Sequence, residues 1–371
     1  MHILVDISSH GFGHYSQTAP IVNLLGENNP KLKITLRTTL AEDFVRAKIH
    51  TPISIIPESL DFGMKMNSAI ETDVDASEKA YIEFHKDWRY RLDVQKKRIQ
   101  HLKPDLIFAN IPYLSLAAAN ELGINTIALC SLNWAHIYQG YYHSKDLHHK
   151  VFNDMLDAYN SALKYLCPEP SMPMPGLNNK QTIAPIAKLG TNQREELNHL
   201  FKLDGNEKIA LIVPGGIATE IPIETWPEVP GIRWITTWNH AIQRRDIIRL
   251  DDIIQLKDIT PHNKMNMSFT DILCSSDVII TKPGYGVIAE AICNQKPVLY
   301  VRRHDWPEEQ NIVDWLQQNG ISQEITKEVF FNGKMVDEIE KIASLKPNEK
   351  IEPNGAKEAV EIIEGVLYKN Y

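Results

Sequence analysis

Short β-branched and aliphatic runs recur along this chain, and each is followed by a glycine-bearing turn and then by apolar residues at helical spacing. Val278, Ile279 and Ile280 form one such run, the mark of a strand covered on both faces. It passes through Thr281, Lys282, Pro283, Gly284, Tyr285 and Gly286 into Val287, Ile288, Ala289, Glu290 and Ala291, which predict the first turns of a helix. The start of the chain repeats the pattern. Residues 2–7 predict a strand, Ser8 to His14 a glycine loop (Ser-Ser-His-Gly-Phe-Gly-His), and 15–25 a helix ending near Gly26. A third copy is the strand 209–213 running into Pro214, Gly215 and Gly216. Three strand–loop–helix units at these places predict two doubly wound α/β domains facing a cleft.

The rest of the first half alternates strand and helix patterns, as a parallel sheet with helical crossovers requires. Strands are expected at 32–37, 53–56, 105–109 and 126–129, with helices at 41–48, 78–102 and 114–122 and a loop over 58–77. Four prolines at 168, 170, 173 and 175 can continue neither a helix nor an inner strand, so 168–182 predicts a stiff linker. The expected organisation is a first domain at 1–167, that linker, a second domain at 183–346 and a terminal helix within 347–371.

A length of 371 residues suits two such domains. The 43% hydrophobic and 23% charged fractions are those of a globular protein, and the formal net charge of −8 argues against a nucleic-acid binder. The first residues read as a core strand rather than a signal peptide, and no apolar stretch approaches the roughly 18–20 residues needed to span a bilayer. Cys130, Cys167, Cys274 and Cys293 are scattered, without zinc spacing or disulfide density. A cytoplasmic location is expected.

The glycine turns suggest their own chemistry. Gly284 and Gly286 would let a ligand lie against bare backbone. The following helix would aim unpaired N–H groups and its positive dipole end at that ligand, which suits a phosphate. Glu290, one turn further in, is placed to accept hydrogen bonds from sugar hydroxyls. Trp134, with Tyr138 and Tyr141, is a candidate for stacking on an acceptor. Arg302 and Arg303 could help neutralise a diphosphate. The basic positions 89, 91, 96, 97, 98 and 103, with Trp88 and Tyr90, read as a solvated helix face, or as a weak peripheral contact with an anionic membrane. The His10/His14 pair is broken by two glycines and does not suggest a metal site, and the acidic pair Asp73 and Asp75 lies in a polar loop.

Together these segments resemble the two-Rossmann-domain (GT-B) glycosyltransferases that use nucleotide sugars. They are also similar to the glycosyltransferase-like N-terminal half of plant L-arabinokinases and its free-standing bacterial relatives. The likeness rests on His10-Gly11-Phe12-Gly13-His14, on Ser131-Leu132-Asn133-Trp134 with Ile137 and Tyr138, on Pro283-Gly284-Tyr285-Gly286, and on Val301-Arg302-Arg303 with Glu308 and Glu309. The resemblance implies a metal-independent transferase with no cofactor. Its first domain would bind an acceptor, and its second a nucleotide-diphosphate sugar, UDP-sugars being favoured. His14, in the loop with Gly11 and Gly13, would be the base that deprotonates the acceptor. Lys282, Gly284 and Gly286 would hold the diphosphate, with Gly215 and Gly216 as its other wall. Glu290 would hold the ribose, Ile259 would lie in the segment receiving the base, and Glu309 and Gln310 would read the donor sugar. The family often places an aspartate behind the histidine, and Asn110 stands there instead. An amide orients the ring but supplies no charge. Asp6 is the nearest acid in sequence. The expected reaction is inverting transfer to a hydroxyl. Hydrolysis of a nucleotide sugar, or binding without turnover, are the rival expectations.

Overall fold

The apolar run at the start of the chain forms β1 (His2–Ile7), buried along its whole length. In the computed structural model, residues 1–68, 71–213, 221–236, 244–250, 253, 267–303 and 305–368 are described. They fall into two units. The first holds Met1–Ile186, Asp305–Asn311 and Asn354–Tyr371, and the second Ala187–His304 and Ile312–Pro353.

In the first unit β1 is followed by α1 (Gly13–Asn28), β2 (Lys33–Arg37), α2 (Glu42–Arg46), β3 (Ser54–Ile56) and a two-stranded hairpin, β4 (Met66–Ser68) with β5 (Glu71–Thr72). Then come α3 (Val74–Lys86), α4 (Trp88–Leu102), β6 (Leu106–Asn110), α5 (Tyr113–Glu121), β7 (Thr126–Leu129), α6 (Trp134–Tyr141), α7 (Asp146–Asn160), β8 (Lys164–Pro168) and β9 (Lys180–Ile183). Seven strands make one parallel sheet in the order β3-β2-β1-β6-β7-β8-β9. Alternate residues explain its burial. Ile3, Val5 and Ile7 enter a core with α1, while Leu4 and Ile107 face Leu92 and Ile99 of α4 and Leu114 and Ala118 of α5.

The second unit contains α8 (Arg194–Phe201), β10 (Lys208–Val213), β11 (Ile232–Thr236), β12 (Ile247–Arg249), α9 (Phe269–Ser275), β13 (Val278–Thr281), α10 (Tyr285–Cys293), β14 (Val298–Tyr300), α11 (Glu309–Asn319), β15 (Ser322–Glu324), α12 (Lys327–Asn332) and α13 (Val336–Ala343); three residues of α11 cluster with the first unit. Its six-stranded parallel sheet runs β12-β11-β10-β13-β14-β15. The last helix, α14 (Gly355–Tyr368), is the expected terminal helix; Ala359, Val360, Ile363 and Leu367 bury it in the first unit's core beside α1.

In both sheets the strand order reverses once, between β1 and β6 and between β10 and β13. Loops leaving the carboxyl ends of strands at such a switch point are where doubly wound sheets bind ligands. The loops there are Ser8–Phe12 after β1 and Lys282–Gly284 after β13, two of the three glycine turns read from the sequence. The third, with Gly215 and Gly216, lies outside the described residues.

Three expectations are corrected. The proline-rich stretch at 168–182 is not a linker: Pro168 ends β8, Met172, Met174 and Leu177 are buried in the first unit's core, and β9 completes the sheet as its edge. Prolines are tolerated there because they stand at a strand end and in the connection to an edge strand. The helix expected at 78–102 begins earlier, at Val74, and breaks at Asp87 into α3 and α4. The break lets Phe84 and His85 on one side and Trp88 on the other pack on the same Tyr113 ring. The loop at 58–77 holds the hairpin, and Asp73 in it caps α3 by accepting from the Ala76 N–H.

Candidate active site

His14 is the second residue of α1 and stands where the first sheet reverses. Parallel pairing puts Asn110, the last residue of β6, beside Ile7, the last of β1. The Asn110 side chain therefore reaches the loop that β1 feeds. Its Oδ1 lies 2.9 Å from His14 Nδ1. Its Nδ2 donates to the Gln17 Oε1 (3.1 Å) and to the backbone carbonyl of His14 (3.3 Å). Both partners of Nδ2 only accept, so the amide must turn Oδ1 towards the ring, and Nδ1 must carry the proton. The lone pair is left on Nε2, the tautomer a base requires. Cys130 Sγ is 3.5 Å from the same Nδ1. Burial pushes the His14 pKa down to about 4, with the Asn110 hydrogen bond pulling weakly the other way, so the ring is neutral near pH 7.

The glycines of the loop leave its backbone open. Gly11 has φ +72°, which glycine adopts without strain, and a Cβ at Gly11 or Gly13 would meet nothing within 4 Å. No side chain caps the start of α1 and no acid stands in its first turn, so the helix end is left for an anion or polar ligand.

Trp134 does not offer a stacking face. It is fully buried, with its ring centroid 5.5 Å from His14 and 5.2 Å from His10, and its Nε1 donates to Asp61 Oδ2 at 2.7 Å. It holds the two histidines instead. Tyr138, also fully buried, packs on Tyr81 and Tyr142. His10 stacks on Trp306 (5.8 Å, 4° between planes). Nor does Asp6 serve His14. It is consumed by Arg37, its register partner on β2, in a two-pronged ion pair at 2.7 and 2.7 Å.

Asp61, which sequence reading passed over inside a polar loop, lies against this cluster. It also lines a cavity of about 470 Å³ together with Glu58, Phe62, Phe84, Arg91 and Arg98. Burial raises its pKa to about 6, against hydrogen bonds from Trp134, Ser8 and Ser59. Between its ordinary value of 3.8 and about 6 the folded chain keeps a proton that the unfolded chain has lost. Its contribution to stability therefore falls as pH rises through that window. Asp61→Asn keeps an acceptor for the indole and removes the charge. It is expected to stabilise the chain by about 1–2 kcal/mol at pH 7, and not at all below about pH 4. Urea unfolding at both pH values checks this; an equal gain at both, or a loss at pH 7, would refute it.

In the second unit Gly284 is the N-cap of α10 in extended conformation (φ −134°, ψ 138°), and a Cβ there would touch only the Lys282 carbonyl, at 4.0 Å. Gly286 is the second residue of α10, and Glu290, half-buried, is one turn on. No side chain caps α10 and its first turn holds no acid. Lys282 is half-buried just before the cap. Gly215, Gly216 and Ile259 lie outside the described residues. Glu309 and Gln310 open α11; Glu309 is buried and Gln310 exposed, and both cluster with the first unit.

On α4 three of the basic residues have acidic partners: Arg89 and Lys96 each bond Asp93 and Glu121, and Arg98 pairs with Glu58. Among the described residues no three His, Cys, Asp or Glu side chains are grouped to hold a metal, and no helix is long and apolar enough to cross a membrane.

Two parallel sheets, each with a glycine loop at its reversal, define the GT-B fold, and comparison with solved structures agrees. The calicheamicin glycosyltransferase superposes with a TM-score of 0.66 at 14% identity, covering 99% of this chain and 98% of that one. A UDP-glucosyltransferase from Polygonum tinctorium, capable of glucosylating indoxyl, gives 0.60 at 12%, covering 99% and 98%. A UDP-glucose:anthocyanidin 3-O-glucosyltransferase in complex with UDP gives 0.56 at 12%, covering 98% and 94%. In sequence the chain is 23% identical over 364 residues to an L-arabinokinase of Arabidopsis thaliana, across 96% of this chain and 34% of that protein. It thus spans about a third of that relative's length. No protein-family profile matches.

Proposed function

We propose that the chain transfers a sugar from a nucleotide-diphosphate donor to an acceptor hydroxyl, with inversion at the anomeric carbon. The observation that carries this reading is His14: a neutral ring at the switch point of the first sheet, with Nδ1 held by Asn110. Nε2 would take the acceptor proton as the oxygen attacks the anomeric carbon and the bond to the nucleoside diphosphate breaks. The uncapped start of α10 and the Lys282 ammonium would stabilise the departing diphosphate. Glu290 would hold the ribose, and Glu309 and Gln310 the donor sugar. Gly215, Gly216 and Ile259 would complete the phosphate and base pockets. UDP is the first nucleotide to test, because fold neighbours are described as UDP-dependent or bound to UDP. The cavity beside Asp61, lined by aromatic Phe62 and Phe84 and by polar Glu58, Arg91 and Arg98, is the candidate seat of the acceptor. The cytoplasm, with its nucleotide-sugar pool, is the proposed location.

A thermal-shift screen of UDP, GDP, dTDP, CDP, ADP and their common sugars tests the donor half. A ligand at a hundred times its dissociation constant should stabilise by about 2.7 kcal/mol, a rise of a few degrees. Glu290→Ala is expected to abolish most of that rise without lowering the unliganded melting temperature by a comparable amount. No shift with any nucleotide would refute the donor site.

One observation favours a second reading. Asn110 supplies no charge to a ring that burial already holds neutral, which suits a module that binds nucleotide sugars without turning them over. Donor binding with neither transfer nor hydrolysis, unchanged in His14→Ala, would support it; hydrolysis without acceptor would instead mark a nucleotide-sugar hydrolase.

A further inference from the structure

Behind Asn110 the hydrogen bonds do not stop. Gln17, whose Oε1 accepts from Asn110, donates through Nε2 to Ser131 Oγ at 3.2 Å. Ser131 Oγ donates to Glu308 Oε1 at 2.7 Å. Trp306 Nε1 lies 3.3 Å from the other carboxylate oxygen. The five residues from His14 to Glu308 are between 0% and 6% exposed, so water does not compete for these bonds. All belong to the first unit, although Ser131 and Glu308 are 177 positions apart.

The bond directions agree from both ends: the His14 carbonyl, which only accepts, orients Asn110 at the ring, and Glu308 orients the bonds behind it. Ser131 gives its proton to Glu308 and so can offer Gln17 only a lone pair. Gln17 must then present Nε2 to Ser131 and Oε1 to Asn110. Asn110 must present Nδ2 to Gln17 and Oδ1 to the ring, and His14 must carry its proton on Nδ1. Each amide thereby turns its negative end towards the imidazole and its positive end towards the carboxylate, an alignment in which each bond polarises the next.

We propose that Glu308 is a positioning residue that, together with the His14 backbone carbonyl, holds the tautomer of His14 through Ser131, Gln17 and Asn110. It answers the missing aspartate with a buried carboxylate four hydrogen bonds away. Its value for catalysis rests on His14 being the base; its effect on the ring does not.

The test reads the ring without substrate. In full-length protein labelled with ring-¹⁵N histidine, the His14 signals are identified by their loss in His14→Gln. Two-bond proton–nitrogen correlation at pH 7 is expected to show a protonated Nδ1 and an unprotonated Nε2. Ser131→Ala cuts the chain. It is expected to lower the ratio of the Nδ1–H to the Nε2–H form about five- to tenfold, the effect of one buried hydrogen bond. Glu308→Gln, nearly isosteric, can donate as well as accept and should lower the ratio in the same direction by less. If Ser131→Ala does not fold, Glu308→Gln decides alone. An Nε2–H ring in the unaltered protein would overturn the proposal, as would folded variants whose His14 signals match it. A tautomer that moves in a protein with no transferase activity would uphold the relay and sink only the base.

Discussion

Replacing His14 with alanine is expected to lower the rate of sugar transfer by about 10²–10⁴-fold, the usual contribution of a positioned general base. Donor affinity, read by thermal shift, should stay within about twofold, since the lost group acts only as the acceptor is deprotonated. The pH profile carries a second signature. The His14 pKa is near 4, so the acid limb should lie there and not near the ordinary histidine value of 6.5. Above about pH 5 protonation of the ring no longer limits the rate. The low value has a cost: a base this weak supplies little driving force for proton transfer, so its contribution depends on orientation and on a nucleophile held close. A profile that breaks near 6 instead would assign the proton to a different group, and Asp61 is the one whose pKa lies there. A His14→Ala variant with unchanged turnover would remove the histidine from the chemistry altogether.

How much of this was legible in the sequence depends on range. The β-branched runs gave away β1, β10 and β13 because a strand covered on both faces has no polar side to show. The loop with His10 and His14 and the turn with Gly284 were legible because a glycine stands wherever backbone must be left open. Asn110 was placed behind His14 by the resemblance alone, and the β1–β6 register puts it there. What distant segments contribute stayed hidden. Nothing local marks 305–311 as joining the first unit, where Trp306 stacks on His10 and Glu308 bonds Ser131. Asp61 sat in a polar stretch that gives no sign of an indole waiting for its carboxylate. The prolines at 168–175 misled because composition does not distinguish a linker from the connection to an edge strand. Gly63 belongs with these: at φ +60° its Cβ would stand 2.6 Å from the His10 ring, a close approach between two loops that neither shows on its own.

The largest loss of stability is expected from Arg37→Met. Arg37 and Asp6 face each other on neighbouring strands, each side chain about 1% exposed, and Nε and Nη2 clasp the two carboxylate oxygens. Ser115 also donates to Asp6, and the Gln95 amide oxygen accepts from both terminal nitrogens of Arg37. Such a pair need not stabilise the fold relative to two apolar side chains, because taking both charges out of water offsets most of their attraction. Removing one partner is different. Arg37→Met leaves the Asp6 carboxylate buried with only a hydroxyl to answer it, a change expected to cost about 3–5 kcal/mol in urea unfolding. Asp6→Leu together with Arg37→Met removes both charges and should recover a large part of that loss, so the two effects should be far from additive. The position of the pair gives the loss a functional edge. Asp6 is the penultimate residue of β1, two positions before the loop that carries His10 and His14, and its pairing fixes how β1 sits against β2 at the end where that loop leaves. The double variant should therefore fold, yet transfer sugar more slowly than the unaltered protein, because a rigid ionic clasp has been exchanged for deformable packing beneath the loop. A single variant as stable as the unaltered protein would mean that water or another cation reaches Asp6, and would refute the buried clasp.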